Sequence, residues 1–400
     1  MHWRLLGSQF FLSYLYFVCA VVVDIIVVFR LFWFRYFSLN SQSKTVHVVP
    51  ALPKAAMNLT NGSHPSSNMT SPCLVRPGNT SIYCLTVAYA AVFIVALVAN
   101  ALVIKKASRR RANNGRRPFD KLIINMAVAD TLDTFTGIPL NAMFLHFGLK
   151  WFPGGFGSFL CKAVHFLMNV SIATSAFTFC FIAVDRFRAI VLETKRPFSS
   201  RAIKLAIAHV WLAACLLYTH NWLVFDVHQN RGMYFCYQSR TFYNIQVTRI
   251  EMTLMFFLTY AVPLPLAAVL YSLMISYLWQ WQIPGHRNEI VLRRVHTQKK
   301  RMTKILITIL AAFAVCWFPV HILNLVIAYK QEVYRCLPIA LELAIYWLAH
   351  ANSAINPCLY LYMNSRWHKT KPIQTLIPLA SPRPPITANS NVFHVTNMYR

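Results

Sequence analysis

The sequence predicts an all-α membrane protein, a seven-transmembrane helix bundle with a short interfacial helix after the last span. Three observations predict it. The 400 residues are 57% hydrophobic and 12% charged, against about 25% charge in soluble domains, which leaves too little polar surface to cover a core in water. Seven apolar segments, at about 85–105, 121–146, 158–187, 203–225, 250–278, 303–329 and 337–362, are each long enough to cross a hydrocarbon layer of about 30 Å. The cationic residues fall on one side. Of 39 Lys and Arg, 25 lie in the alternate connections 105–121, 188–204, 280–304 and 366–400, and six (Lys150, Arg231, Arg240, Arg249, Lys330, Arg335) in the connections between them. That asymmetry places the basic connections in the cytoplasm. The net charge of +28 therefore follows from topology and attraction to anionic inner-leaflet lipid, with no nucleic acid implied.

Taken in order, residues 1–37 hold an apolar run (5–29) behind Arg4, interrupted by Asp24. It reads as a signal peptide, as a retained span, or as a mistaken gene start. An aspartate near mid-span costs about 2.5–3.5 kcal/mol on insertion scales, which weakens the retained span. Residues 38–84 form a polar extracellular tail, with glycosylation sequons at Asn58, Asn61, Asn68 and Asn79. The seven-span domain is set at 85–365. After it, Asn364–Lys371 is basic, contains Trp367 and suits an interfacial helix, and the remainder of 366–400 reads as a cytoplasmic tail.

The third segment organises the rest. From Cys161 to Arg186 it is nearly free of charge, and as a helix those residues reach roughly 37 Å, enough to carry a cysteine on one face of the membrane and Asp185-Arg186 on the other. Polar groups at mid-depth are costly in lipid. Asn100, Asp130, Ser175, Asn352, Ser353 and Asn356 fall in the first, second, third and seventh segments. Singly, each would satisfy a neighbouring helix; together they favour one converging polar cluster able to hold a cation. Prolines at 139, 263, 265, 319 and 357 mark bends in their helices.

These residues fall in a recognisable order. Asn100 in LVANALVI, NMAVAD ending at Asp130, DRF at Asp185–Phe187, Trp211, Pro263 with Tyr271, CWFP at Cys316–Pro319 and NPCLY at Asn356–Tyr360 occur one set per segment. Over about 85–370 the chain resembles a rhodopsin-like (class A) G-protein-coupled receptor. The resemblance implies that Arg186 engages a heterotrimeric G protein when the inner helix ends separate, with Asp185 restraining it and Phe187 beside it where Tyr is commoner. It implies that Trp317, next to Pro319, shifts on activation, and that Tyr271, Asn356, Pro357 and Tyr360 rearrange towards the inner face. It pairs Cys161 with Cys236 in a disulfide worth roughly 2–4 kcal/mol. Asp130, Ser175, Asn352, Ser353 and Asn356 occupy the family's sodium positions, so an allosteric Na⁺ that disfavours activation is expected, and no other cofactor.

Departures from the pattern carry information too. Lys299 stands where the family often has an acidic partner for Arg186, so raised basal signalling is expected. Gly154 replaces the usual tryptophan before the third segment, with Trp151 three residues earlier, and Glu193 replaces the usual proline after DRF. For the remaining outer cysteines, a bridge Cys84–Cys336 or Cys73–Cys84 is open. Met168 and His350 stand where amine receptors carry aspartate and opsins carry lysine, which counts against both subclasses. What remains resembles neuropeptide receptors, with strand-like alternation around 232–247 suited to a hairpin lid and a pocket drawn from Met168, Glu251, Glu342, Tyr346 and His350. Glu251 and Glu342 either meet a basic group on an extracellular peptide or pair with Arg249, Arg335 or solvent; for the ligand itself, a small molecule is the alternative. No phosphate loop, HExxH or nucleophile elbow supports an enzyme. A transporter needs a polar path through the bilayer, whereas here the polar residues stop at mid-depth; a non-signalling scavenger stays open as an alternative, with the intact DRF and NPxxY favouring coupling. The chain is thus expected at the plasma membrane, multi-pass, with its N-terminal tail outside and its C-terminal tail cytoplasmic.

Overall fold

A computed structural model describes residues 78–109, 111–112, 115–116, 118–192, 198–238, 245–280 and 289–365. The long helices are α1 (Asn79–Arg109), α2 (Pro118–Phe147), α3 (Gly154–Ile190), α4 (Ser200–Tyr218), α6 (Ile245–Phe256), α7 (Pro263–Gln280), α8 (Glu289–Tyr329) and α10 (Ile339–Ser365). Two short helices join them, α5 (Asn221–Val224) and α9 (Gln331–Cys336). Among the described residues there are also two hairpins: β1 (Arg111–Ala112) with β2 (Gly115–Arg116), and β3 (Phe225–Asn230) with β4 (Met233–Gln238).

The helices extend past the apolar segments that predict them. The first begins at Asn79, inside the stretch read as tail, and α8 starts at Glu289, well before its apolar part. Hydrocarbon thickness limits apolar length, not helix length, so polar turns continue beyond the membrane at either end. Among the described residues, five helical stretches are long and apolar enough to cross a membrane: 79–109, 154–190, 200–224, 245–280 and 295–329. The other two long helices, α2 and α10, carry the buried polar residues Asn125, Asp130, Asp133, His350, Asn352, Ser353 and Asn356, which lower their hydropathy. Outward faces are apolar, as at Val98, Leu102, Leu205, Val269 and Val315; in water such surface would be a liability, in lipid it is the solvent-compatible face.

Helix α3 is the central element. It packs against α2, α4, α7 and β3, while α10 packs against α1, α2 and α8. The core runs through Phe179, Ile182, Tyr271, Met274, Ile309, Phe313, Trp317 and Tyr360. Ser199 caps α4 by accepting from the Ala202 amide at 3.1 Å, satisfying one of the donors that a helix start leaves open. Pro139, Pro319 and Pro357 lie inside helices. Before Pro263, whose nitrogen has no hydrogen to donate, the chain forms a π-helical turn at Phe257–Ala261, with the Val262 amide bonded to the Phe257 carbonyl at 3.0 Å.

Candidate functional site

The outer end of α3 is tied down in several ways. Cys161 and Cys236 form a disulfide with Cα atoms 5.8 Å apart, fastening β4 to the helix. The hairpin lid is present, over Phe225–Gln238, further towards the N-terminus than the alternation suggested. Its two-residue turn holds Arg231 at φ 46° and Gly232 at φ 77°, the left-handed pair that matches strand twist in a tight hairpin. On the other edge of β4, the Trp151 amide donates to the Tyr234 carbonyl at 2.8 Å and the Cys236 amide to the Leu149 carbonyl at 3.0 Å. The displaced tryptophan thereby finds its role: Trp151 Nε1 donates to the Gly157 carbonyl at 2.8 Å. Gly157 is required there, because a Cβ would stand 1.9 Å from the Phe152 carbonyl oxygen.

Asp226 on β3 accepts from Ser158 Oγ at 2.6 Å and pairs with Lys162 Nζ at 3.2 Å. Burial pushes its carboxyl up, but the bonds from Ser158 and the Val227 amide and the Lys162 ammonium outweigh this and hold it below the usual carboxylate value. His165 stacks on Phe225 with ring centroids 3.9 Å apart and lies against Cys161 and Cys236. With both sulfurs spent in the bridge, that grouping is a braced disulfide and not a metal centre. Neither pairing proposed for Cys84 forms: Cys84 is free and exposed, and Cys336 is disulfide-bonded without it. Cys84 lies on the first helix. Cys73 lies outside the described residues, as do Asn58, Asn61 and Asn68 and the segments 1–77 and 366–400. Asn79 is exposed at the start of α1.

At mid-depth the predicted polar residues converge. Ser175 Oγ donates to Asp130 Oδ1 at 2.9 Å, and Asn356 Nδ2 reaches Asp130 Oδ2 at 3.4 Å. Ser353 turns elsewhere, its Oγ donating to Asp133 Oδ2 at 2.8 Å, while its backbone carbonyl accepts from Asn100 Nδ2 at 2.9 Å. Asn352 Oδ1 and Asn356 Oδ1 are buried without a hydrogen-bond donor. Asp130, Asp133, Ser171, Ser175, Trp317 and Asn352 are among the groups lining a small cavity. Carboxylates beside donor-less amide oxygens in a small cavity form a hard-oxygen set that suits Na⁺.

Asp133 is absent from the sequence expectation. It is buried, one turn beyond Asp130 on α2, and both its oxygens lie 3.0 Å from His350 Nδ1. His350 Nε2 is 3.1 Å from Asn141 Nδ2. Gly137 leaves room for this ring: a Cβ there would come within 2.3 Å of His350 Cε1. The ring also meets Trp317 edge-on, with centroids 6.3 Å apart. A second network missed in the sequence joins α2, α3 and α4, with Trp211 Nε1 donating to Asn125 Oδ1 at 2.8 Å and Asn125 Nδ2 to Thr178 at 2.9 Å.

The remaining pocket candidates divide. Glu342, Tyr346 and His350 recur every fourth residue on α10 and share a face; Tyr334 donates to Glu342 Oε1 at 3.1 Å. Met168 is half-buried on α3. Glu251 is buried on α6 and pairs with His220 Nε2 at 2.7 Å, leaving Oε2 without a partner. Arg249 is not its partner; Arg249 donates to the Ala328 carbonyl and lies over Tyr329.

At the inner end, Arg186 bonds through Nε and Nη2 to Asp185 Oδ2, the former at 3.0 Å, and its guanidinium lies 4.4 Å from the Phe119 ring centroid. Among the described residues its one ion-pair partner is Asp185, on the same helix. Phe187, Tyr271 and Tyr360 are buried in the core, and the Tyr271 hydroxyl has no partner. Arg301 on α8 donates to the Met363 carbonyl near the end of α10.

Comparison with known proteins agrees with this arrangement. Residues 99–360 match the family model described as "7 transmembrane receptor (rhodopsin family)". The chain is similar to the RYamide receptor of Tribolium castaneum, 26% identical over 74% of this chain and 82% of that protein. It is similar to the allatostatin-A receptor of Bombyx mori, 31% identical over 68% of this chain and 74% of that one. The neuromedin-K receptor of Cavia porcellus is 26% identical over 79% of this chain and 73% of its own length.

Proposed function

Because the chain belongs to the rhodopsin family of seven-transmembrane receptors, a family of receptors and not of enzymes, we propose that it receives an extracellular neuropeptide and activates heterotrimeric G proteins. Seven spans are then α1, α2, α3, α4 with α5, α6 with α7, α8 and α10, with the β3–β4 hairpin outside and the basic connections in the cytoplasm. The peptide reading is supported by relatives named for RYamide, allatostatin-A and neuromedin-K. One observation carries the signalling reading. A single helix holds Cys161 in a disulfide at one end and the Asp185–Arg186 pair at the other, with the polar cavity under Trp317 between them.

In this mechanism the ligand enters beneath the hairpin and meets the face of α10 that carries Glu342, Tyr346 and His350. Glu342 is the better placed carboxylate for a basic peptide group, since Glu251 already faces His220. Movement at Trp317, beside Pro319, alters the cavity below it. Asp130, Ser175, Asn352 and Asn356 would hold a Na⁺ that neutralises buried carboxylate charge and keeps α2, α3 and α10 together, while Ser353 Oγ is engaged by Asp133. When the inner helix ends part, Arg186 leaves Asp185 for the G protein, and Tyr271 and Tyr360 turn inward behind it. Since, among the described residues, Arg186 has no acidic partner on α8, where Lys299 stands, basal signalling is raised.

The test is a screen of amidated and free peptides against cells expressing the receptor with a promiscuous G-protein readout, with Arg186→Ala as control. A peptide that signals through the wild type and binds but does not signal through the variant supports the reading. Ligand-driven current, or uptake without GTP exchange, would overturn it in favour of a transporter or scavenger.

A further inference from the structure

The polar cluster holds one carboxylate more than the sodium positions supply, and that carboxylate faces two ways. Asp133 lines the cavity together with Asp130, yet its hydrogen bonds go to Ser353 at 2.8 Å and to His350, with both oxygens 3.0 Å from Nδ1. A carboxylate accepts, so Nδ1 carries the hydrogen, and Nε2 is left to accept from Asn141 Nδ2 at 3.1 Å. Asn141 is itself fixed, donating to the Gly137 carbonyl at 2.9 Å. The imidazole is thus held at both nitrogens, in a space that exists only because residue 137 has no side chain, with Trp317 against its edge. The same ring stands on the α10 face that carries Glu342 and Tyr346.

We infer that Asp133 is a positioning residue through which the outer cavity, by way of His350, sets the cation affinity of the pocket below. While His350 donates to it, the Asp133 carboxylate is spent on His350 and Ser353. When that hydrogen bond is withdrawn, by a ligand group that engages the imidazole, the carboxylate turns into the cavity it already lines and joins Asp130 as a second anionic arm. Ser353 Oγ is freed in the same step. Such a ligand tightens cation binding, and by linkage the cation tightens the ligand by the same factor; it therefore holds the receptor inactive, unlike an activating peptide anchored at Glu342, which leaves the imidazole on Asp133. This rests on the pocket holding Na⁺, as proposed above.

The experiment uses membranes containing the full chain with added G protein, measuring basal GTP exchange as NaCl replaces choline chloride at constant ionic strength. In the wild type Na⁺ suppresses exchange, and in Asp130→Asn it does not. His350→Ala lowers the half-suppressing Na⁺ concentration about fivefold, within the usual range of coupling between sites. In the Asp133→Asn background, where the amide keeps the shape but not the charge, the same His350 change shifts it less than about twofold. The Na⁺-dependent rise in melting temperature of the purified receptor gives the same four-way comparison without G protein, and so covers a variant whose basal exchange changes for other reasons. If His350→Ala shifts the Na⁺ dependence equally in both backgrounds, or in neither, Asp133 transmits nothing and the inference falls while the sodium pocket stands. If Na⁺ has no effect on wild type or on Asp130→Asn by either readout, the pocket and the inference fall together.

Discussion

The two ends of α3 are built on opposite plans. The outer end is cross-linked covalently at Cys161, laced to the hairpin through Lys162 and Ser158, and flanked by backbone bonds from Leu149 and Trp151 to β4. The inner end is held at Arg186 by an ion pair to its own neighbour, Asp185, and by an aromatic face, Phe119. No cross-helix ion pair to Arg186 exists among the described residues. A helix fixed at one end and lightly latched at the other has its low-energy motion at the latch. In the proposed mechanism the outer end serves recognition and stability, and the inner end serves the change of state.

Substitutions at the two ends should separate these roles. Arg186→Ala is expected to have the largest effect, reducing ligand-driven GTP exchange to the level of membranes without receptor while leaving peptide affinity and melting temperature near wild type. If affinity collapses with it, the two ends are not separable. Cys161→Ser should do the reverse, costing about 2–4 kcal/mol of stability and most surface expression, with normal exchange per folded receptor. Asp185→Asn removes the latch; a loss of about 1 kcal/mol changes the population of the released state by roughly fivefold, read as basal exchange relative to wild type at equal surface density. Asp226→Asn should have the smallest effect, at most about 1 kcal/mol, because its partner Lys162 is partly exposed and solvent screens the pair. Asp226 is held below its ordinary value of 3.8, so its contribution is complete above about pH 3.8 and is lost as pH falls below it. Hydrogen-exchange protection at the hairpin, taken relative to the intrinsic exchange rate at each pH, should therefore be indifferent between pH 6 and 8, and a change in that window would show that some other group anchors β3.

Much of this was legible in the residues themselves. Spans announce themselves because lipid demands apolar length, and the resemblance carried by the spaced motifs singles out the mid-depth polar residues, the Cys161–Cys236 pair and Arg186. Asp133 was hidden by its neighbour, since NMAVAD ends on Asp130 and draws the eye from an aspartate one turn further on. The signal was present in Asp130, Asp133 and Gly137, which rise along one side of a helix at spacings of three and four, with a histidine waiting on α10. His220 as the partner of Glu251 was beyond reach, because 31 residues and a hairpin separate them and no local period links the two. Trp151 was noticed as a departure, but only its bond to the Gly157 carbonyl explains how an indole three residues out of place still braces the loop. Cys84 illustrates the limit for cysteines, whose pairing depends on chain paths that spacing does not encode.

The π-helical turn at Phe257–Ala261 sets the direction in which Glu251 faces. One extra residue in a helical turn advances every residue on its outer side by about 100° of azimuth. Counting back from Pro263 on a regular helix therefore assigns Ile245–Phe256 to the wrong compass bearings, Glu251 among them. The turn acts as a phase shifter inserted between two otherwise ordinary helices. Removing one residue from it would rotate the outer half of that span as a block, carrying Glu251 away from His220 and presenting a different set of side chains to whatever enters beneath the hairpin.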